Sequence, residues 1–112
     1  MSKMTAVHKR ANAKRAAIDR ELPYQVALPE HLCCMENYTV IRDFCGRFAR
    51  RIETTRVTAI WPNNTRLELR LHCFENRKDA EEFADHFEGE HFNPRKDRGE
   101  GAERGICRCT GT

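Results

Sequence analysis

The sequence predicts an α+β fold, a small antiparallel-containing sheet of three or four strands with two packed helices and an added basic N-terminal helix. Three observations carry this. Apolar side chains alternate through Val57, Ala59, Trp61 and again through Leu67, Leu69, Leu71, the period of a half-buried strand pair. Ala80, Phe83, Ala84 and Phe87 then recur at helical spacing, and Tyr38, Ile41, Phe44, Cys45 and Phe48 do the same upstream. A sheet face and two helix stripes of this kind bury each other in two layers.

The elements follow in chain order. Residues 5–22 are rich in Ala, Lys, Arg and Glu and contain no Gly or Pro, a composition that favours a helix. Its apolar stripe is thin, consisting of Val7, Ala11, Ile18 and Leu22 with Ala17 beside it. Pro23 ends it, since the residue before a proline is pushed out of the helical region. Tyr24 to Leu28 reads as a short strand closed by Pro29. A helix is expected from about Met35 to Ala49, with Arg47, Arg50 and Arg51 crowding its C-terminal end, where cations suit the dipole.

The hairpin register follows from its faces. A two-residue Asn63-Asn64 loop splits the apolar residues between two sides. A three-residue loop of Asn63, Asn64 and Thr65 pairs Trp61 with Leu67, Ala59 with Leu69 and Val57 with Leu71, and puts all six on one side. The opposite face then carries Arg56, Thr58, Ile60, Arg66, Glu68, Arg70 and His72. In the next helix Asn76 is placed as N-cap, Asp79 favours the N-terminal dipole, and Gly89 sits at the C′ position. Residues from Asn93 to Gly105 read as a mobile charged segment, and Ile106 to Cys109 as a candidate edge strand. Accepting that last strand gives a ferredoxin-like βαββαβ order.

The 112 residues suffice for one domain, which buries roughly two-thirds of the surface its unfolded chain exposes. Within it, residues 1–22 form a basic helix or arm, 23–92 the α+β core, and 93–112 a flexible charged tail. No apolar run approaches the roughly 20 residues of a membrane helix, and no secretory signal follows the first basic residues. Reduced thiols and a cytoplasmic location are therefore expected for the six cysteines.

His72-Cys73-Phe74, Asp79-Ala80, Phe83, Phe87, Gly89, Phe92, Asn93-Pro94 and Asp97-Arg98-Gly99 stand in a row over the C-terminal third. With Pro23 to Val26, this series resembles a group of short uncharacterised alphaproteobacterial proteins. That resemblance implies no activity and no functional residues.

Charge supplies the strongest functional lead. Residues 1–20 hold six basic side chains against one acidic, a balance of +5, while the rest holds 14 basic and 16 acidic, a balance of −2. A basic helix with Lys9, Arg10, Lys14 and Arg15 can lie along a phosphate backbone through counterion release, with Arg56 and Arg70 on the sheet adding to it. If so, removing residues 1–20 abolishes binding. The sheet lacks the exposed aromatic pair on which an RRM-type surface stacks bases.

The chemistry-bearing residues support less. Cys33, Cys34, Cys107 and Cys109 offer four thiolates for zinc, but adjacent and CxC pairs depart from the usual two-to-four-residue ligand spacing. A thiol at a helix N-terminus has a lowered pKa, so Cys33 or Cys34 is a candidate redox-sensing thiolate, opposed by Glu36. Cys45 and Cys73 read as core, and the histidines, His72 included, as surface groups with no triad around them. Elimination leaves a non-enzymatic binding or regulatory protein, without cofactor, that acts through a protein partner or a second copy of itself. Partner strands are expected to add at an open edge of the first or second strand. Nucleic-acid binding and a zinc- or thiol-dependent redox sensor are the alternatives.

Overall fold

The structure is a computed structural model and describes residues 6–110; Lys3 and the Val7 side chain lie outside the described residues. Helix α1 (Ala6–Glu21) leads into strand β1 (Tyr24–Pro29), a 3-10 turn (Glu30–Leu32) and helix α2 (Glu36–Cys45). Strands β2 (Ile52–Ile60) and β3 (Arg66–Phe74) follow, then helix α3 (Arg77–Phe87) and strand β4 (Glu90–Phe92). A short helix α4 (Pro94–Asp97), a 3-10 turn (Gly101–Glu103) and strand β5 (Ile106–Arg108) complete the described chain. The fold is α+β, with one five-stranded mixed sheet in the order β4-β1-β3-β2-β5. Only the β2–β5 pairing is parallel.

Two expectations about the sheet are corrected. Strand β4, beside β1, gives the β1-α2-β2-β3-α3-β4 unit its closing strand, where Ile106 to Cys109 had been expected to do so. Ile106–Arg108 instead extends the sheet at the other side, against β2. The arrangement also has helices on both faces rather than two layers. Val26, Leu28 and Phe74 point to α2 and α3, where they meet Phe83, Ala80 and Ile41. The alternate residues Ala27, Val57, Leu71 and Cys73 point the other way, onto Ile18 and Leu22 of α1. The leucines of β3 and the phenylalanines of α3 therefore belong to opposite cores, because side chains alternate across a strand.

The hairpin loop has three residues, as expected, but they are Pro62, Asn63 and Asn64. Trp61 N–H donates to Thr65 O at 2.9 Å and Asn64 N–H to Trp61 O at 2.8 Å. Proline presets the first turn position, and Asn64 adopts the left-handed conformation at φ 67°. The loop thus begins one residue earlier, and the register becomes Val57 opposite Leu69 and Ala59 opposite Leu67. A shift of two residues leaves every side chain on its predicted face.

Helix α2 ends at Cys45, short of Ala49. Helix α3 starts at its expected cap, with Asn76 Oδ1 accepting from Asp79 N–H at 2.8 Å. Its left-handed terminal residue is Glu88 at φ 55°, not Gly89. Gly89 is needed for a different reason: a Cβ there would lie 2.5 Å from Val26 Cγ1.

The segment expected to be a mobile tail is built into the fold. Asn93 caps α4, and Arg98 reaches back to α1 with its side chain 1% exposed. Its Nη2 donates to Asp19 Oδ1 at 3.2 Å and its Nη1 to Arg104 O at 2.7 Å. Nε stands 2.7 Å from Asp19 Oδ2, a close charge contact out of line for a hydrogen bond. Gln25 Nε2 donates to the same carboxylate at 2.9 Å. Composition registered the charges of this segment but not that one guanidinium finds a buried partner 79 positions away. Helix α1 is consequently a structural layer rather than a free arm.

Candidate binding cleft

Helix α2 is held at its C-terminal half. Phe44 packs edge-on to Phe87 at 5.1 Å and stacks on His86 at 4.2 Å, and Phe48 meets Phe74 at 5.6 Å. Its N-terminal half is not covered: residues 36–40 are exposed and Ile41 is the helix's buried residue. Between α2 and the sheet lies a cleft of about 270 Å³. Tyr38, Ile41, Arg42 and Cys45 form its helical wall, and Cys33 lies at its margin. The sheet contributes Ile52 and Thr54 from β2 and Arg70 and His72 from β3.

His72 lines this cleft while being 3% exposed, with its ring tilted against Phe83 at 4.7 Å. The expectation of a surface histidine is corrected: His72 lies on the predicted face, but α3 covers that end of it. Its Nδ1 has no hydrogen-bond partner among the described residues. Burial first, then the neighbouring Arg70 charge, push its pKa down to about 4, so the ring is neutral at neutral pH. Arg70 forms a two-pronged ion pair with Glu30, Nε donating at 2.9 Å and Nη2 donating to the other oxygen. The hydrogen bond from Arg70 holds the Glu30 carboxyl below its usual range.

The cleft contains no activated nucleophile. Burial raises the Cys33 and Cys45 thiols to about 11 each, and Cys33 donates to Pro29 O at 3.4 Å. The thiolate expected at Cys33 is thus reversed, because desolvation and the nearby Glu30 outweigh the helix end. Cys34 is exposed, with its thiol 3.3 Å from Glu30 O. The four candidate zinc ligands do not converge. Cys33 belongs to the core under α2 and α3, Cys107 packs under α1, and no group of three metal-ligating side chains occurs among the described residues. Cys107 and Cys109 lie 4.0 Å apart, sulfur to sulfur, both as free thiols.

The predicted basic residues are divided by the sheet. Lys9, Arg10 and Lys14 are exposed on α1, while half-buried Arg15 donates to Asn12 Oδ1 at 2.9 Å. Arg56 and Arg70 face each other across β2 and β3, and their side chains start from the face opposite α1. Arg15 and Arg56 are nonetheless near enough to repel. After burial and Arg98, that repulsion contributes to lowering the Arg15 pKa. Of the two strands expected to receive a partner, β1 is paired with β3 throughout and covered by β4 on its other side only at Gln25 to Ala27. Strand β2 is closed along a third of its length, since β5 pairs only with Thr58 to Ile60.

No pattern in the sequence marks the cleft wall or the exposed apolar residues beside it. Tyr38 was placed on a buried stripe but is 54% exposed, and Val40 lies off that stripe at 55%. The nearest signal is apolar residues on more than one side of a short helix, with Leu32 and Met35 just before it. A larger groove of about 630 Å³ borders Asp19, Gln25, Arg77 and Arg95. Its margin mixes charges of both signs and includes the Asp19 carboxylate already bound by Gln25 and Arg98, so it reads as a seam of the fold. No protein-family model matches the chain, and no curated protein and no solved structure matches it.

Proposed function

We propose that the protein is a non-enzymatic binding or regulatory module that acts through a protein partner, with residues 32–42 and the cleft behind them as the contact surface. We read its β1-α2-β2-β3-α3-β4 core as a ferredoxin-like scaffold with α1 and β5 added. One observation carries the reading. Five large hydrophobic side chains are exposed among the described residues, and four of them, Leu32, Met35, Tyr38 and Val40, fall within nine positions. Exposed apolar side chains gathered on one segment point to an interaction site more than single scattered ones do, and Tyr38 and Val40, two positions apart, present theirs on two sides of α2. Met35 adds to it: at φ 58°, ψ −128° a non-glycine residue is strained by about 1–3 kcal/mol while 87% exposed. Neutral thiols and a neutral histidine without a paired base or nucleophile favour binding over catalysis.

The test compares the wild-type chain with a Leu32→Ser, Val40→Ser variant in affinity isolation and solution mass. A partner, or a second copy, recovered by the wild type and lost by a folded variant supports the reading. Equal recovery by both overturns it.

Nucleic acid is the second reading, favoured by exposed Lys9, Arg10 and Lys14. Deleting residues 1–20 no longer tests it, because Ile18 and Leu22 are core. Replacing Lys9, Arg10 and Lys14 with Gln does. A duplex bound with three phosphate contacts loses a slope of about 3 in log K against log salt on that change, and salt-independent binding removes the reading.

A further inference from the structure

Beyond β5, the outer edge of β2 is open. Thr58 N–H and Ile60 O point outward, to Gly105 O at 2.9 Å and from Cys109 N–H at 2.8 Å. Alternation along a strand turns the N–H and C=O of Arg56 and Thr54 to the same side. No backbone partner occurs for them there among the described residues. Two donors and two acceptors in register are a template for one more strand, the arrangement native edges otherwise protect.

This open edge borders the cleft, since Thr54 belongs to both. A strand added there places alternate side chains on the Thr54 face, toward the cleft. At about 270 Å³ the cleft lies just under the roughly 300–1,000 Å³ of sites for small molecules and has room for an inserted side chain. Its lining includes two guanidinium groups, Arg42 and Arg70, and no carboxylate. Two carboxylates engage these guanidinium groups from outside the lining, Glu30 on Arg70 and Asp43 at 3.5 Å from Arg42, and Arg15 and Arg56 add positive charge at the edge. His72, 3% exposed, contributes an Nδ1 that has no partner among the described residues.

We propose that the occupant is an extended acidic segment of a partner protein, which adds as a strand along Thr54 and Arg56 and inserts one Asp or Glu side chain into the cleft between Arg42 and His72. This rests on the protein-partner reading and specifies its mode. A nucleic acid has no amide ladder to pair with the edge, which decides between the two polyanions.

The test uses the full ¹⁵N-labelled chain and three blocked, Val/Thr-rich decapeptides that differ only in a central Asp, Asn or Lys. The Asp peptide binds about tenfold or more tighter than the Lys peptide, as expected for charge complementarity at a desolvated site. The Thr54 and Arg56 amides shift and gain exchange protection with it. Thr54→Pro removes a donor the fold does not use and lowers affinity at least about tenfold. Arg42→Glu, on the exposed helix, reverses the Asp-over-Lys preference even if the proline variant fails to fold. Absent Asp-peptide binding, equal affinity for all three peptides, or a DNA duplex protecting the same amides where the peptides do not, overturns the proposal. Binding that depends on Leu32 and Val40 but leaves Thr54 and Arg56 unprotected overturns strand addition and spares the contact surface.

Discussion

Acidification should destabilise the protein through His72 before its carboxylates begin to protonate. The ring is 3% exposed and its pKa is about 4, against about 6.5 in the unfolded chain. A folded-state value below the unfolded one means that the unfolded chain takes up the proton first, so stability falls as pH drops below 6.5 and the loss levels off near 4. At 1.36 kcal/mol per unit, the loss is about 2 kcal/mol by pH 5 and about 3 kcal/mol by pH 4. Glu30, held low by Arg70, contributes in a separate window: its stabilisation is present above the ordinary Glu value and disappears below it. Urea denaturation of the wild type and of His72→Phe at half-unit steps from pH 7.5 to 5.0 isolates the term. The wild-type curve should fall about 2 kcal/mol more than the variant's over that range. Parallel curves would refute the buried, neutral histidine and with it the floor of the cleft.

Three further changes follow from the packing. Arg98→Met leaves the largely buried Asp19 carboxylate with only Gln25 and the more distant Arg104, 3.8 Å away, and should cost about 2–4 kcal/mol in denaturant stability; a cost under about 1 kcal/mol would mean the C-terminal segment is not fixed to α1. Gly89→Ala forces a methyl group against Val26 and should cost about 1–3 kcal/mol, read as a lowered melting temperature. Met35→Gly relieves a positive-φ conformation and should raise stability by about 1 kcal/mol while weakening partner binding. A stability loss on that substitution would contradict the strain.

The local chemistry of the fold was legible in the residues. Asn76 caps α3 because its amide oxygen meets the Asp79 N–H, and period-two alternation assigned the faces of β2 and β3 even though the loop was placed one residue late. What alternation does not carry is which helix covers which face. Leu71 meets Ile18 of α1, whereas Phe83 meets Phe74 of β3. Strand β4 is only three residues long and owes its pairing to β1, so no pattern announces it. Arg98 looked like one more tail charge because its partner Asp19 is remote in sequence. The residues behind the resemblance, among them Phe83, Gly89, Asn93 and Arg98, are core, close-approach, capping and ion-pair positions. They specify the scaffold, while the exposed Leu32 and Val40 and the cleft residues Tyr38 and Arg42 lie outside that series.

Amide hydrogen exchange of the full chain, with and without the Asp decapeptide or any protein that the wild-type chain but not the Leu32→Ser, Val40→Ser variant recovers, tests the contact surface most directly. Added protection over residues 32–42 and at Thr54 and Arg56, with residues 9–15 of α1 unchanged, is the predicted result. Protection confined to Lys9 through Arg15, with the cleft and the β2 edge exchanging as in the free protein, would contradict it.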